Sequence, residues 1–252
     1  MFQVRRVAVL GSSISLVVRP PEGVAYPLVL ERLLNERSED ELWLVSNLSG
    51  IAVTIDDAHR YLPQLVAERP EAIIVHYGHV EAIFRPQSLA AWHKTYGVII
   101  GESPRGAAMR TVRRKVAGAR RRLGLRKQWT PPDRFERTFR DVLRYLRKET
   151  GALLLVIEAN PGDQKIEAWG PGSLAEIARY NAVMHEIAVE QGATWIALDA
   201  ALPAPLETLV PDGTHFTPEG HEVLASVLAD AVLAGRVNAD DVAHHLDVER
   251  EA

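Results

Sequence analysis

Five short apolar runs along the chain predict β-strands, and amphipathic segments between them predict helices. The runs are rich in Val, Ile and Leu and lie at 7–10, 42–45, 72–76, 152–157 and 194–198. Apolar residues recur at helical spacing over 26–34, 56–68, 135–148, 174–190 and 215–233, and a polar terminal helix is expected at 240–249. This alternation predicts a parallel sheet with helices on both faces. Pro131-Pro132 and Pro161-Gly162 predict loops.

Length and composition fit one enzyme-sized domain over residues 1–252. Hydrophobic residues make up 47% of the chain, which is enough to bury a full core. Cysteine is absent, so disulfides, thiolate catalysis and cysteine-ligated metals are excluded. The first residues lead directly into a strand without a signal-peptide pattern, and no stretch approaches the roughly 20 apolar residues of a membrane span. We therefore expect a cytoplasmic protein.

A Gly-Ser turn after the first predicted strand offers a nucleophile. Ser13 lies in Gly11-Ser12-Ser13, where the apolar run ends. Ligands of open α/β sheets bind beyond the carboxyl ends of the strands, so this position suits a catalytic hydroxyl. The alternative interpretation is an ordinary turn whose serines cap the next helix.

An Asp-Gly-Thr-His segment near the other end of the chain offers a base and its partner. Thr217 and Pro218 have the pattern of a helix N-cap and first helical residue, so Asp212 and His215 are expected in the preceding loop. A spacing of three lets the carboxylate reach Nδ1 of the imidazole while Nε2 points outward, as a general base requires. The alternative is an Asp-Gly turn with an exposed histidine. Together the two motifs favour a Ser-His-Asp triad.

The order of these motifs resembles that of the SGNH (GDSL-type) hydrolases, and the resemblance runs over nearly the whole chain. Gly11-Ser12-Ser13 is similar to the family's first block, Gly-Asp-Ser, with serine in place of aspartate. Gly50 resembles the glycine of the second block, and Asp212 with His215 matches the last block, Asp-x-x-His. Gly78-His79-Val80-Glu81 resembles the third block, Gly-x-Asn-Asp, and departs furthest from it.

The resemblance implies a three-layer α/β/α sandwich with a flavodoxin-like five-stranded parallel sheet, and the activity of a serine ester hydrolase. Ser13 would be the nucleophile, His215 the base and Asp212 its partner, with no cofactor or metal. The backbone amides of Ser13 and Gly50 would donate hydrogen bonds to the oxyanion. His79 is expected to stand in for the family's asparagine donor, because an imidazole N–H also donates.

The expected reaction is hydrolysis of a short-chain or acetyl ester of a small molecule or saccharide through an acyl-enzyme. Two alternatives remain open. An O-acyltransferase would use the same triad, with site shape and water exclusion deciding the outcome. A non-catalytic ligand-binding relative would fit the altered third block. The sequence leaves the oligomeric state undetermined.

Charge is segregated along the chain. The net charge is −4, from 29 basic and 33 acidic residues. Nine Arg or Lys residues fall within 110–127, so the rest of the chain holds 20 basic residues against 33 acidic ones. Apolar residues recur at helical spacing in this segment, which predicts a basic amphipathic helix inserted at about 103–132. The segment is either a solvated surface helix or a site for an anionic partner, and nucleic acid is disfavoured by the acidic chain as a whole.

The other histidines and the tryptophans carry no motif of their own. His76, His79, His215 and His221 are candidates for a metal cluster, but their spacing is unspecific and His215 has a stronger role, so no metal is predicted. Three tryptophans lie in or near predicted loops and either line a sugar or acyl pocket or pack against the protein, which we favour: Trp92, Trp129 and Trp169.

Overall fold

The computed structural model describes residues 3–85, 88–91, 127–202 and 205–250, together with positions 112, 115, 116, 119 and 123, and gives only the backbone for 236–250. Most of the predicted basic insertion at 103–132 lies outside the described residues, and so does Trp92.

Five parallel strands form one sheet in the order β2-β1-β3-β4-β5. The strands are β1 (Gln3–Gly11), β2 (Glu41–Asn47), β3 (Ala72–His76), β4 (Leu153–Ile157) and β5 (Thr194–Ile196). All five predicted strands are thus confirmed, as is their flavodoxin-like order. The chain runs outward from β1 to β2 and then crosses to β3, so the strand order reverses between β1 and β3, where open sheets of this kind bind ligands.

Helices and two 3₁₀ turns connect the strands. In the described part of the chain the helices are α1 (Tyr26–Glu36), α2 (Leu62–Glu68), α3 (His79–Ala82), α4 (Pro132–Thr150), α5 (Gln164–Trp169), α6 (Ser173–Glu190), α7 (Leu198–Ala201), α8 (Leu206–Leu209) and α9 (Pro218–Arg250). The 3₁₀ turns lie at Ser13–Ser15 and Ile55–Arg60.

Alternate residues of the strands pack on opposite faces of the sheet. Ala8 and Leu10 of β1 join the core beneath α2, α4 and α6, whereas Val7 and Val9 join the core beneath α1 and α9. This division follows from the two-residue period of a strand. Because both faces are covered, the central strands are apolar throughout, which is why they are continuous apolar runs in the sequence. The result is the predicted three-layer α/β/α sandwich.

Prolines explain two differences from the sequence-based boundaries. The predicted helix 56–68 is divided into the 3₁₀ turn Ile55–Arg60 and α2, whose first turn contains Pro63. Pro132, expected in a loop, is the first residue of α4. Proline lacks the backbone N–H that a helix interior needs, but its fixed φ suits a first turn, so helices begin beside it.

The last helix begins at Pro218, as the Thr217-Pro218 pattern predicted, so the periodic segment 215–233 began three residues too early. Thr217 caps it, since the backbone N–H of Gly220 donates to the Thr217 hydroxyl at 3.1 Å. The helix continues through 240–249, which was expected to be a separate element. Four short helices, α3, α5, α7 and α8, were not predicted because segments of four to six residues carry too little periodicity. No helix among the described residues has the length and apolar character required to cross a membrane.

Substitution of a buried aromatic residue of α4 tests the assignment of the hydrophobic core. Phe139 is 0% exposed and stacks on Phe135 with ring centroids 5.4 Å apart. Phe139→Ala should lower the free energy of unfolding by about 3–5 kcal/mol, because it removes buried surface and leaves a cavity. Urea denaturation followed by circular dichroism would measure the change. The control is Leu28→Ala in α1, where the side chain is 60% exposed and the expected cost is under about 1 kcal/mol. Equal losses in the two variants would contradict this core.

Candidate active site

The end of β1 presents Ser13 at the carboxyl edge of the sheet. After Gly11 the backbone of Ser12 is extended, and Ser13 opens the 3₁₀ turn. A Cβ on Gly11 would lie 2.6 Å from Oγ of Ser15 and 3.2 Å from the carbonyl oxygen of His76, so a larger residue there would require the Ser15 side chain to shift. The first residue of a helical turn has no carbonyl within that turn to accept its N–H, which leaves the Ser13 amide available to a ligand.

The Asp212 carboxylate organises the second half of the site. Oδ1 accepts hydrogen bonds from the backbone N–H groups of Thr214 at 2.9 Å and His215 at 2.7 Å, and Oδ2 lies 2.9 Å from Nδ1 of His215. Burial disfavours the ionised carboxylate, but these hydrogen bonds and the charge of His215 outweigh it and hold the pKa of Asp212 well below its ordinary value. Gly213 has φ +73°, a left-handed conformation that suits glycine.

The two halves of the site meet at the side chains of Ser13 and His215. Oγ of Ser13 lies 3.2 Å from Nε2 of His215. Since Nδ1 of His215 faces the Asp212 carboxylate, it carries the ring proton, and Nε2 is the acceptor for the Ser13 hydroxyl. The structure therefore brings together Ser13, His215 and Asp212, which are the three residues that the sequence proposed as a triad.

Arg19 contacts the same carboxylate and was not found from the sequence. Its Nε lies 3.6 Å from Oδ2 of Asp212, and its backbone N–H donates to the carbonyl oxygen of Phe216 at 2.9 Å. The loop after the nucleophile is thereby joined to the segment after the base. An arginine among Pro and Gly residues in a loop gives no sequence signal for such a contact.

Gly50 follows β2 at the same edge of the sheet. Its backbone N–H points toward the carbonyl oxygen of Gly11 at 3.4 Å, a long contact for an N–H···O bond. A Cβ on Gly50 would collide with Cγ2 of Val53. Glycine is therefore needed here because of the close approach of Val53.

His79 is directed away from an oxyanion role. The side chain is 0% exposed, and burial lowers the pKa of the imidazole to about 4, so the ring is neutral near pH 7. Nδ1 lies 2.9 Å from the carbonyl oxygen of Asn160, which can only accept, so the ring proton is on Nδ1. Nε2 is then an acceptor, and the hydroxyl of Thr214 donates a hydrogen bond to it at 3.1 Å.

The third-block comparison is corrected accordingly. Counted position by position, the asparagine of Gly-x-Asn-Asp falls on Val80 rather than His79, and Val80 has no side-chain donor. Neither residue offers an N–H from its side chain for an oxyanion in this arrangement. The expectation that His79 replaces the asparagine is therefore withdrawn.

Glu81 takes the aspartate position of the third block and joins two loops. The side chain is 0% exposed; one carboxylate oxygen accepts from the N–H of Ile55 at 2.8 Å and the other from the N–H of Gly78 at 3.0 Å. Burial raises the pKa of this carboxyl to about 7 despite these bonds. The contact ties the segment after Gly50 to the segment before His79.

The other two candidate histidines pack around Tyr26. The Tyr26 backbone N–H donates to Nδ1 of His221 at 3.0 Å, and its hydroxyl lies 3.4 Å from Nδ1 of His76. Burial lowers the pKa of His76 to about 3 and that of His221 to about 4. Across the part of the chain that the structure describes, no group of three or more metal-ligating side chains is arranged to hold a metal ion.

Two of the candidate tryptophans contact an arginine. The guanidinium carbon of Arg85 lies 4.0 Å from the ring centroid of Trp129 and 5.7 Å from that of Trp169. This is the geometry of a cation–π contact. It agrees with a packing role for both rings.

Comparison with known proteins identifies the family. The model of the GDSL-like Lipase/Acylhydrolase family matches residues 9–223. The chain belongs to this family and is a hydrolase of the SGNH type. No curated protein sequence matches the chain.

Solved structures share the fold at low sequence identity. The lipase/acylhydrolase from Enterococcus faecalis is 17% identical with a TM-score of 0.58, covering 90% of this chain and 95% of that one. The acetylxylan esterase Axe2 from Geobacillus stearothermophilus is 15% identical with a TM-score of 0.59, covering 92% of this chain and 95% of that one. The acetyl xylan esterase AlAXEase is 16% identical with a TM-score of 0.59, covering 90% and 99%.

The buried histidines around the site predict acid destabilisation. The pKa values of His76, His79 and His221 in the folded chain lie below the ordinary histidine value, so the unfolded chain binds up to three more protons between about pH 4 and 6.5. Glu81 has the opposite effect, because its raised pKa lets the folded chain hold one proton that the unfolded chain releases. Unfolding near pH 5 should therefore take up about two protons, and stability should fall with falling pH by about 1.4 kcal/mol per proton per pH unit.

Urea denaturation between pH 7 and pH 5 would measure this dependence. His76→Gln removes one titrating group and should make stability less dependent on pH, whatever its effect at pH 7. His59→Gln, at an exposed position, is the matched control for a histidine replaced outside this buried group. A stability that is constant or rises toward pH 5 in the unmodified chain would show that these histidines are not held neutral.

Proposed function

We propose that this chain is a serine esterase that hydrolyses an acetyl or other short-chain acyl ester of a small molecule or saccharide. The observation that carries the proposal is a pair of consecutive hydrogen bonds. Oγ of Ser13 lies 3.2 Å from Nε2 of His215, and Nδ1 of His215 lies 2.9 Å from Oδ2 of Asp212. A serine hydroxyl needs a base to remove its proton and a carboxylate to orient that base, and this arrangement offers both. The acetyl xylan esterases of similar fold support the choice of acyl group and alcohol.

The proposed reaction proceeds in two acyl-transfer steps. Nε2 of His215 takes the proton of the Ser13 hydroxyl while Oγ bonds to the ester carbonyl carbon, and the carbonyl electron pair moves to its oxygen. The tetrahedral species collapses when His215 gives that proton to the leaving alcohol oxygen, which forms the acyl-enzyme. Water then attacks with His215 as base, and the acid leaves as Ser13 recovers its proton. Asp212 stays ionised throughout, in keeping with its depressed pKa, and stabilises the charged imidazole.

We assign the oxyanion to backbone donors. The Ser13 amide has no acceptor within its own turn, and the Gly50 amide makes only a 3.4 Å contact that a stronger acceptor would replace. An oxyanion accepts shorter and stronger hydrogen bonds than a neutral carbonyl does, so both amides would favour the transition state over the substrate. The single-domain organisation, a cytoplasmic location and an anionic partner for 110–127 stay predictions.

Substitution of Ser13 tests the nucleophile. A fluorophosphonate probe should add one adduct to the wild-type protein, detected by intact mass, and none to Ser13→Ala. The kcat for an acetyl ester such as p-nitrophenyl acetate should fall at least about 1,000-fold in the variant, since loss of one member disables the triad. Ser88→Ala, at an exposed position, is the control and should keep both adduct and rate. A wild-type protein that is folded but takes up no adduct would overturn the mechanism and favour a ligand-binding relative.

The Gly50 amide is tested by a substitution and its rescue. Gly50→Ala keeps the N–H but places a methyl group against Cγ2 of Val53, so the loop must shift and kcat should fall about 10- to 100-fold. Val53→Ala removes the obstructing carbon, and the double variant should regain most of the rate. Val53→Ala alone is the control for the lost side chain. A loss of kcat in Gly50→Ala that the added Val53→Ala does not relieve would contradict displacement of the amide by Val53 as its cause.

A further inference from the structure

Thr214, between the two residues of the catalytic turn, has every polar group bonded. Its backbone N–H donates to Oδ1 of Asp212 at 2.9 Å, and its carbonyl oxygen accepts from Nδ2 of Asn160 at 2.6 Å. Its hydroxyl lies 3.1 Å from Nε2 of His79. The last two partners come from outside the catalytic turn, so they attach the turn to other parts of the protein.

The proton positions in this network follow from its acceptors. Because Nδ1 of His79 must donate to the carbonyl oxygen of Asn160, the neutral ring leaves Nε2 without a proton, and the Thr214 hydroxyl donates to it. Both His79 and Asn160 are 0% exposed, so water does not compete for these bonds. In such surroundings an unmade hydrogen bond is costly, and the arrangement is strongly favoured over others.

The two outside partners belong to the rigid centre of the fold. His79 follows β3 and Asn160 follows β4, and these strands are adjacent in the sheet. Their positions at the carboxyl edge connect the turn to the same sheet that carries Ser13 at the end of β1. Ser13 and His215 are therefore both attached to the same β-sheet, although 202 residues separate them in the chain.

We infer that His79, acting with Asn160, is a positioning residue that holds Thr214 and thereby aligns the Asp212–His215 turn with Ser13. The inference rests on the proposed function, since the alignment matters only if His215 takes a proton from Ser13. His79 does not touch the reacting atoms in this role. Loss of the hydrogen bonds from His79 and Asn160 to Thr214 displaces His215 relative to Ser13. Displacements of this kind cost up to about 100-fold in rate without altering substrate contacts.

Variants at Thr214 separate the hydrogen bond from the shape of the side chain. Thr214→Val keeps the branched shape and removes the hydroxyl, so kcat should fall about 10- to 100-fold while KM stays within about twofold. Thr214→Ser restores the hydroxyl and should recover most of the rate. Thr208→Val is the control, because the Thr208 hydroxyl is exposed and bonds only locally, to the carbonyl oxygen of Pro205. An unchanged kcat in Thr214→Val, or a loss that Thr214→Ser does not recover, would overturn the inference.

His79→Phe provides a second test, because it keeps a planar ring and removes both hydrogen bonds. We expect the same loss of kcat with little change in KM. Should this variant fail to fold, the comparison of Thr214→Val with Thr214→Ser alone tests the positioning role. A folded His79→Phe variant with the wild-type kcat would also contradict a positioning role.

The tautomer of His79 gives a readout that does not depend on activity. In ¹⁵N-histidine-labelled Ser13→Ala protein near pH 7, the ring of His79 should show a protonated Nδ1 and an unprotonated Nε2, and Thr214→Val should shift the Nε2 resonance. A protonated Nε2 would overturn the network. If this tautomer is found but the wild-type protein shows no Ser13-dependent turnover, the proposed function fails, and the positioning role fails with it. If the wild-type protein is active and Thr214→Val turns over at the same rate, the positioning role alone is rejected.

Discussion

The site depends on one constraint, which is that the carboxyl ends of the parallel strands lie at one edge of a sheet buried on both faces. Gly11 at the end of β1 is paired with His76 at the end of β3, and the segments that follow β2 and β4 reach the same edge. Because a slip of one residue would move every side chain of a strand to the opposite face and disrupt the packing of both cores, the positions of the loops that follow the strands are fixed. Ser13, Gly50, His79 and Asn160 follow four different strands and are brought to one place in this way.

Hydrogen bonds between these loops, rather than their own structure, then determine the geometry of the site. Glu81 joins the loop after Gly50 to Gly78, and His79 joins the loop after β3 to the turn that contains His215. Each of these groups is buried and each gives up favourable contact with water. The cost is visible in the pKa shifts, which favour neutral His79 and oppose the ionised form of Glu81. The His79 shift thus costs stability toward acid, whereas the Glu81 shift costs stability where that carboxyl is ionised.

The sequence predicted the fold, and it selected Ser13, His215 and Asp212, which lie together in the structure, because the strands and the Asp-x-x-His turn depend on local patterns. Apolar runs determine strands that are buried on both faces, and the Asp-x-x-His spacing is sufficient for Asp212 to accept from both the ring and the backbone of His215. The role of His79 was not predictable in the same way. Its proton position is determined by the carbonyl oxygen of Asn160, which is 81 residues distant in the chain. No spacing rule encodes such a contact, and the same holds for Arg19 beside Asp212.

The altered third block changes how this active site must work. An asparagine donor to the oxyanion contributes roughly 3 kcal/mol in enzymes of this kind of chemistry, and Val80 cannot replace it. In the mechanism we propose, backbone amides hold the oxyanion, so the rate depends more heavily on the alignment of the remaining groups. The residue beside the lost donor, His79, contributes to that alignment by holding the loop of the base instead of contacting the substrate. In the role we propose, the third block acts on the reaction through the position of His215. The imidazole of His79, which resembles an oxyanion donor in the sequence, donates instead to the carbonyl oxygen of Asn160 and accepts from the Thr214 hydroxyl.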